Sequence, residues 1–115
     1  MTNALTAEQI RQIVRHAGGT EQVAVLADCD EPELVELWIA GAAVPSHEQA
    51  SRLAFAHEWT GRIADSWLFA FWLSSPVVRS SKRPQRPITP AEGIRLGDFN
   101  AVRDSVRRLH RTIVE

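Results

Sequence analysis

Apolar positions along this chain recur at spacings of three and four, and no run alternates strictly, so the pattern predicts helices and no β-rich segment. Ile10, Ile13, Val14 and Ala17 form one stripe, the mark of an amphipathic helix. Thr6 opens that helix with Gln9 at the capping-box position, Gly18-Gly19 stops it, and His16 falls in its last turn, where it reads as a surface residue rather than a ligand. A second, short helix carries Val23, Leu26 and Ala27. Asp28, Cys29 and Asp30 then make a turn, and Asp30 is placed to N-cap a third helix with Pro32 in its first turn and Glu33 at the capping-box position. Leu34, Leu37 and Trp38 give this helix its inner face, and Gly41 ends it. Residues 20–45 therefore read as two short helices joined by a tight turn, a helix-turn-helix around which the rest is organised.

Ser46, with Gln49 three residues on, caps a longer helical segment in which Ala50, Leu53, Ala54 and Ile63 keep roughly helical spacing and Phe55, Trp59 and Trp67 add bulk. Gly61 marks a close helix crossing or a break. Residues 66–76, SWLFAFWLSSP, are apolar on all sides and too short to span a membrane. A helix of that kind is buried, in a core or in a subunit interface. A monomer of this length is hard pressed to cover Trp59, Trp67, Phe69, Phe71 and Trp72 together. A homodimer through Trp59, Trp67 and Phe71 is the expectation, and an ordinary core the alternative.

Pro76 closes that element. Residues 77–87, VVRSSKRPQRP, have no periodicity and read as a mobile loop or linker. Its cations Arg79, Lys82, Arg83 and Arg86 either meet a phosphate backbone or an acidic partner, or serve as a soluble tether. Thr89-Pro90-Ala91-Glu92 is a helix start, with Thr at N-cap, Pro at N1 and Glu at N3, and the short helix is closed by Gly97. Asp98 opens the last helix. Phe99, Val102, Val106, Leu109 and Ile113 make a narrow apolar seam. Arg103, Arg107 and Arg111 run along another face with Arg108 beside them, and Asp104 offers partial pairing. The expected fold is all-α: a helix-turn-helix domain in residues 1–65, ending in the long helix, and a small C-terminal helical domain in residues 66–115 that carries the basic loop.

Composition sharpens this picture only in places. At 115 residues, one domain or a domain with a small appendage is expected, large enough for a core without staples. The single cysteine, Cys29, excludes an internal disulfide and fits a reducing compartment. The first residues lack a basic stretch followed by an apolar one, no run approaches the length of a membrane span, and a cytoplasmic location is expected. The net charge of −1 hides a polarity. Residues 1–45 hold two arginines against seven carboxylates, and residues 46–115 hold eleven cations against seven carboxylates. An acidic front and a basic back point either to interaction surfaces of opposite sign or to two solvated faces.

No catalytic constellation is visible. His16, His47, His57 and His110 are scattered, and His47 and His57 lie ten residues apart, unlike a helical metal pair. Cys29 has no second thiol, Gly18-Gly19 and Gly41 act as helix stops, and no glycine-rich phosphate loop is present. A non-enzymatic protein without cofactor or metal is expected.

Three stretches, taken in order, carry a resemblance: VELWIAGAAVP at 35–45, WLSSP at 72–76 and PAEGIRLGDFNAV at 90–102. The chain resembles the MbcA/ParS/Xre antitoxins, small bacterial proteins that join an Xre-like helix-turn-helix to a C-terminal toxin-binding domain. Trp72, Pro76, Pro90, Ile94, Gly97, Asp98 and Val102 match that family's pattern in order. The resemblance implies a dimeric antitoxin of a toxin–antitoxin system whose C-terminal region covers or enters the NAD cleft of a RES-domain toxin. On that reading Arg95, Asp98, Phe99, Arg103, Arg107, Ile113 and Val114 contact the toxin. The terminal carboxylate enters the cleft, or Ile113 is simply the end of the core seam. Three departures stand out. The turn of the helix-turn-helix, residues 28–32, is one residue longer than usual and acidic. Glu31, Glu33 and Glu36 project where an operator reader carries basic or amide side chains. The 77–87 loop is also longer and more basic than the family's short link. The alternative is a helix-turn-helix DNA-binding regulator, phage or mobile-element encoded, that contacts backbone phosphates through Arg52, Arg79, Lys82, Arg83 and Arg86. In a third reading the helix-turn-helix shape serves protein contact alone.

Overall fold

The computed structural model describes residues 5–63 and 65–114, with side chains as far as Arg107. Seven helices follow in order: α1 Ala7–Ala17, α2 Thr20–Ala27, α3 Pro32–Ala40, α4 His47–Arg62, α5 Ser66–Leu73, α6 Pro90–Arg95 and α7 Phe99–Val114. The chain is all-α, and the one β-type contact among the described residues is an isolated antiparallel pairing of Val78 with Ile88.

The helix boundaries follow local chemistry. Thr6 and Gln9 form a reciprocal capping box at α1, and Ser46 and Gln49 form another at α4. The Thr89 hydroxyl accepts from the Glu92 N–H, with Pro90 at the first helical position where no donor is needed. Gly18 and Gly41 close α1 and α3 in the left-handed region, at φ 97° and 77°. One expected cap is not made. Asp28 takes the left-handed conformation at φ 58° and closes α2 by donating its N–H to Ala24 O and Val25 O. The chain then enters α3 from Glu31, without a side-chain cap. Asp30 is thus left one residue too early to reach the first turn.

The inner face of α3 also differs from expectation. Val35 and Trp38 are buried and Leu34 half-buried, whereas Leu37 is 42% exposed. Val35 and Trp38 share a face at i, i+3, and Leu37 lies well round the helix from Val35. In α4, Leu53, Phe55, Ala56 and Trp59 turn inward and Ala54 faces out. Gly61 neither breaks α4, which continues to Arg62, nor sits at a crossing, since a Cβ placed there would meet nothing within 4 Å.

The segments on either side of residue 65 share one core. Asp65 caps α5, its Oδ1 accepting from the Leu68 N–H at 3.1 Å. Phe69 of α5 lies edge-on to His16 of α1, Trp72 packs against Trp59 of α4, and Phe99 of α7 stacks on Phe55 of α4. Helix α6 rests on α2, α4 and α5 and carries α7. The radius of gyration, 13.8 Å, is close to the ~13 Å of a single compact domain of this length. No helix among the described residues is long and apolar enough to cross a membrane.

The 77–87 stretch is a loop, but not a free tether. Val78 and Ile88 exchange backbone hydrogen bonds of 2.9 and 2.8 Å across its base, both side chains are fully buried, and Ser80 is buried beside them. Tertiary contacts clamp what has no local periodicity.

Candidate functional site

Three of the residues singled out from sequence, Arg52, Lys82 and Arg95, meet at α6. Its last carbonyls carry the partial negative charge of a helix C-terminus, and two cations meet them. Arg52 donates its Nε–H to Arg95 O, and Lys82 donates from Nζ to Leu96 O, each at 2.9 Å. The Arg95 side chain reaches the other way and donates to Asp28 Oδ1 at 3.1 Å, tying α6 to the turn between α2 and α3. Both partners of that pair are about half exposed, which keeps it a positioning contact of modest strength.

Around the start of α7, Asp98 accepts a short hydrogen bond from the Ser80 hydroxyl, which also accepts from the Lys82 N–H at 3.1 Å. Phe99 lies flat on Phe55, centroids 4.5 Å apart at 11°, and the Arg103 guanidinium sits 5.1 Å from the centroid of the same Phe55 ring. Arg103 also donates to Asn100 Oδ1 at 3.0 Å. Arg107 is well exposed and faces Asp104 at 3.6 Å. Of the seven expected toxin contacts, Arg95, Asp98, Phe99 and Arg103 are each held by an internal partner, and Arg107 stands outward. The side chains of Ile113 and Val114 lie outside the described residues, as do those of Arg108, Leu109 and Arg111.

The five basic residues offered for DNA divide into two sets. Arg52 and Lys82 are spent on α6. Arg79, Arg83 and Arg86 line a hollow of about 320 Å³ in the loop, with Ser80, Ser81, Pro84, Gln85 and Pro87. Glu31, Glu33 and Glu36 are exposed, and none of them has an ion pair among the described contacts.

The three residues expected at a dimer interface also divide. Trp59 is 4% exposed and belongs to the core, between Phe55 and Trp72 and under the Arg62 guanidinium. Trp67 and Phe71 are 72% and 57% exposed and stack on each other, centroids 5.5 Å apart at 16°. The chain covers Trp59, Phe69 and Trp72 by itself and leaves a patch of Trp67, Leu68 and Phe71 outside.

A second cleft, about 530 Å³, lies between α1, α4 and the start of α5 and is lined by Gln12, Arg15, His16, His57, Thr60, Gly61 and Ser66. Gln12 joins the two histidines. Its side-chain Oε1 lies 2.6 Å from His57 Nε2 and its backbone O 2.9 Å from His16 Nδ1. His16 is thus half-buried and bonded within its own helix rather than a free surface group. Among the described residues no cluster of three or more His, Cys, Asp or Glu is arranged to hold a metal.

Three residues in this region carry weight that sequence reasoning missed. Ser80 pins the loop to Asp98, eighteen positions away. Gln12 bridges α1 and α4. Gly93 lets α7 approach α6, because a Cβ there would stand 2.7 Å from Val102 Cγ2. Only Gly93 left a signal, being a glycine inside a short capped helix. Compared with family models, curated proteins and solved structures, the chain matches none of them.

Proposed function

We propose that this protein is an antitoxin that neutralises a NAD-consuming toxin by direct binding, without catalysis of its own. The observation that carries this reading is that Arg95 at the end of α6 and Phe99 and Arg103 at the start of α7 are each held by an internal partner, Asp28 for Arg95 and Phe55 for Phe99 and Arg103. A surface held in place before the partner arrives loses little side-chain freedom on binding. Arg107, exposed beside it, extends it with a charge a partner can meet. Arginine and aromatic side chains set in such a frame are what protein interfaces concentrate at their centres. The exposed stack of Trp67 and Phe71 serves self-association in the same reading, and α2–α3 is a helix-turn-helix pair turned to protein contact by its uncompensated carboxylates.

The direct test is co-expression of the tagged chain with the product of the neighbouring reading frame. A stoichiometric complex with a protein that is toxic alone is the expected result, and no complex overturns the reading. Arg103→Glu with Arg107→Glu is expected to abolish neutralisation while the circular dichroism spectrum stays unchanged. Neutralisation that survives both would move the contact elsewhere.

A DNA-binding regulator is the second reading, favoured by Arg79, Arg83 and Arg86, none of which has an ion pair among the described contacts. Phosphate contacts release counterions, so it requires duplex affinity that falls steeply with salt. Affinity flat in salt excludes it.

A further inference from the structure

The hollow in the 77–87 loop is a cationic cradle with no carboxylate in its lining. Three arginines, Arg79, Arg83 and Arg86, line it. Among the described contacts Arg79 and Arg86 make no ion pair and no side-chain hydrogen bond, and Arg83 spends one N–H on Lys82 O at 2.9 Å. The loop's one lysine is turned away to Leu96 O. Its one buried hydroxyl, Ser80, donates to Asp98, which is not among the residues that line the hollow.

We infer that this cradle binds the diphosphate group of a small free ligand, of the nucleoside diphosphate class. The inference goes beyond the antitoxin reading and does not depend on it. The chemistry starts from the donors. A guanidinium presents a planar fork that bonds two oxygens of a phosphate at once, which an ammonium cannot do. Three forks around one hollow repel one another until an anion of more than one charge enters, and a diphosphate supplies that charge in a compact form.

Preorganisation comes next. The Val78–Ile88 pairing closes the base of the loop, Ser80–Asp98 and Lys82–Leu96 O fix its wall to α6 and α7, and Pro84 and Pro87 restrict its tip. An anion therefore meets a framework already built. Size decides between a compact ligand and a duplex. The volume, about 320 Å³, stands at the lower end of small-molecule sites, roughly 300–1,000 Å³. That is room enough for a diphosphate group. A duplex presents its phosphates along a rod and calls for cations spread over a ridge or face rather than around one hollow.

The test is calorimetric titration of the whole chain with inorganic pyrophosphate, AMP, ADP and a short DNA duplex. One-to-one binding of pyrophosphate is expected, with ADP at least tenfold tighter than AMP. The triple variant Arg79→Ala/Arg83→Ala/Arg86→Ala should weaken pyrophosphate at least tenfold, and Arg107→Ala should leave it unchanged. The triple Arg→Lys variant keeps the charge and loses the forks, so binding severalfold weaker than wild type is expected. All substituted side chains are exposed, and an unchanged unfolding midpoint verifies the fold. Pyrophosphate binding that the triple alanine variant retains would overturn the proposal, as would Arg→Lys binding equal to wild type. A wild-type chain that does not bind pyrophosphate overturns it too, and duplex binding lost in the triple variant would then assign the loop to nucleic acid.

Discussion

Phe69 and Phe71 stand two residues apart on the same helix, and their fates are opposite. Phe69 is fully buried, ringed by His16 and Trp72, while Phe71 is 57% exposed and meets Trp67 on the outside. Helix α5 is apolar on every side, so its sequence gives no inward direction; the neighbours choose one. α1 and α4 supply aromatic and polar partners for the Phe69–Trp72 face, and the opposite face of Trp67, Leu68 and Phe71 stays outside. The same side-chain chemistry is thus structural on one face and available to a partner on the other.

Four variants break or sharpen this contrast. Phe69→Ala removes a fully buried ring and should destabilise the fold by about 3–5 kcal/mol in urea unfolding, from lost transfer energy and the cavity left behind. A loss below about 1 kcal/mol would mean that this face is not core. The next effect sits at a second tight surface. Gly93→Ala would drive a methyl against the buried Val102 side chain, for an expected loss of about 1–3 kcal/mol. Gly61→Ala, with open space around it, should instead stabilise by up to ~1 kcal/mol, because alanine is the better helix former. Equal effects at the two glycines would refute the tight α6–α7 contact. The smallest effect on stability belongs to the outer face. Trp67→Ser with Phe71→Ser should shift unfolding by about 0.5 kcal/mol or less per site, while sedimentation shows a wild-type dimer become a monomer. A wild-type chain that is monomeric at high concentration would leave the patch to a different protein.

Much of the fold is legible in the chain. The capping residues Thr6, Ser46 and Thr89 and the stops Gly18 and Gly41 are local devices, each acting within one turn, and each does what its type predicts. The α1 stripe is legible for the same reason, since a regular period on one helix names its buried face. Asp30 failed as a cap because one residue, Asp28, takes a left-handed backbone and shifts where α3 begins. Leu37 was misplaced because adjacent apolar residues on a short helix leave its rotation open, and Val35 with Trp38 took the core. Arg95, Phe99 and Arg103 stand close together in the chain, but the residues that hold them do not. Arg95 meets Asp28 across sixty-seven positions and Arg52 meets Arg95 O across forty-three, and neither spacing has a period to detect.

By itself the sequence determined an all-α chain, where most of its helices begin and end, and the division of charge between an acidic front and a basic back. Those properties rest on interactions between residues a few positions apart, or on simple sums over the chain. The tertiary structure alone decided three things: that Trp59 is core and Trp67 is surface, that the basic stretch is a pinned cradle rather than a tether, and that Gly93 admits α7. Each depends on which distant side chain arrives to fill or close a space, and that is settled by packing, where no local pattern reaches.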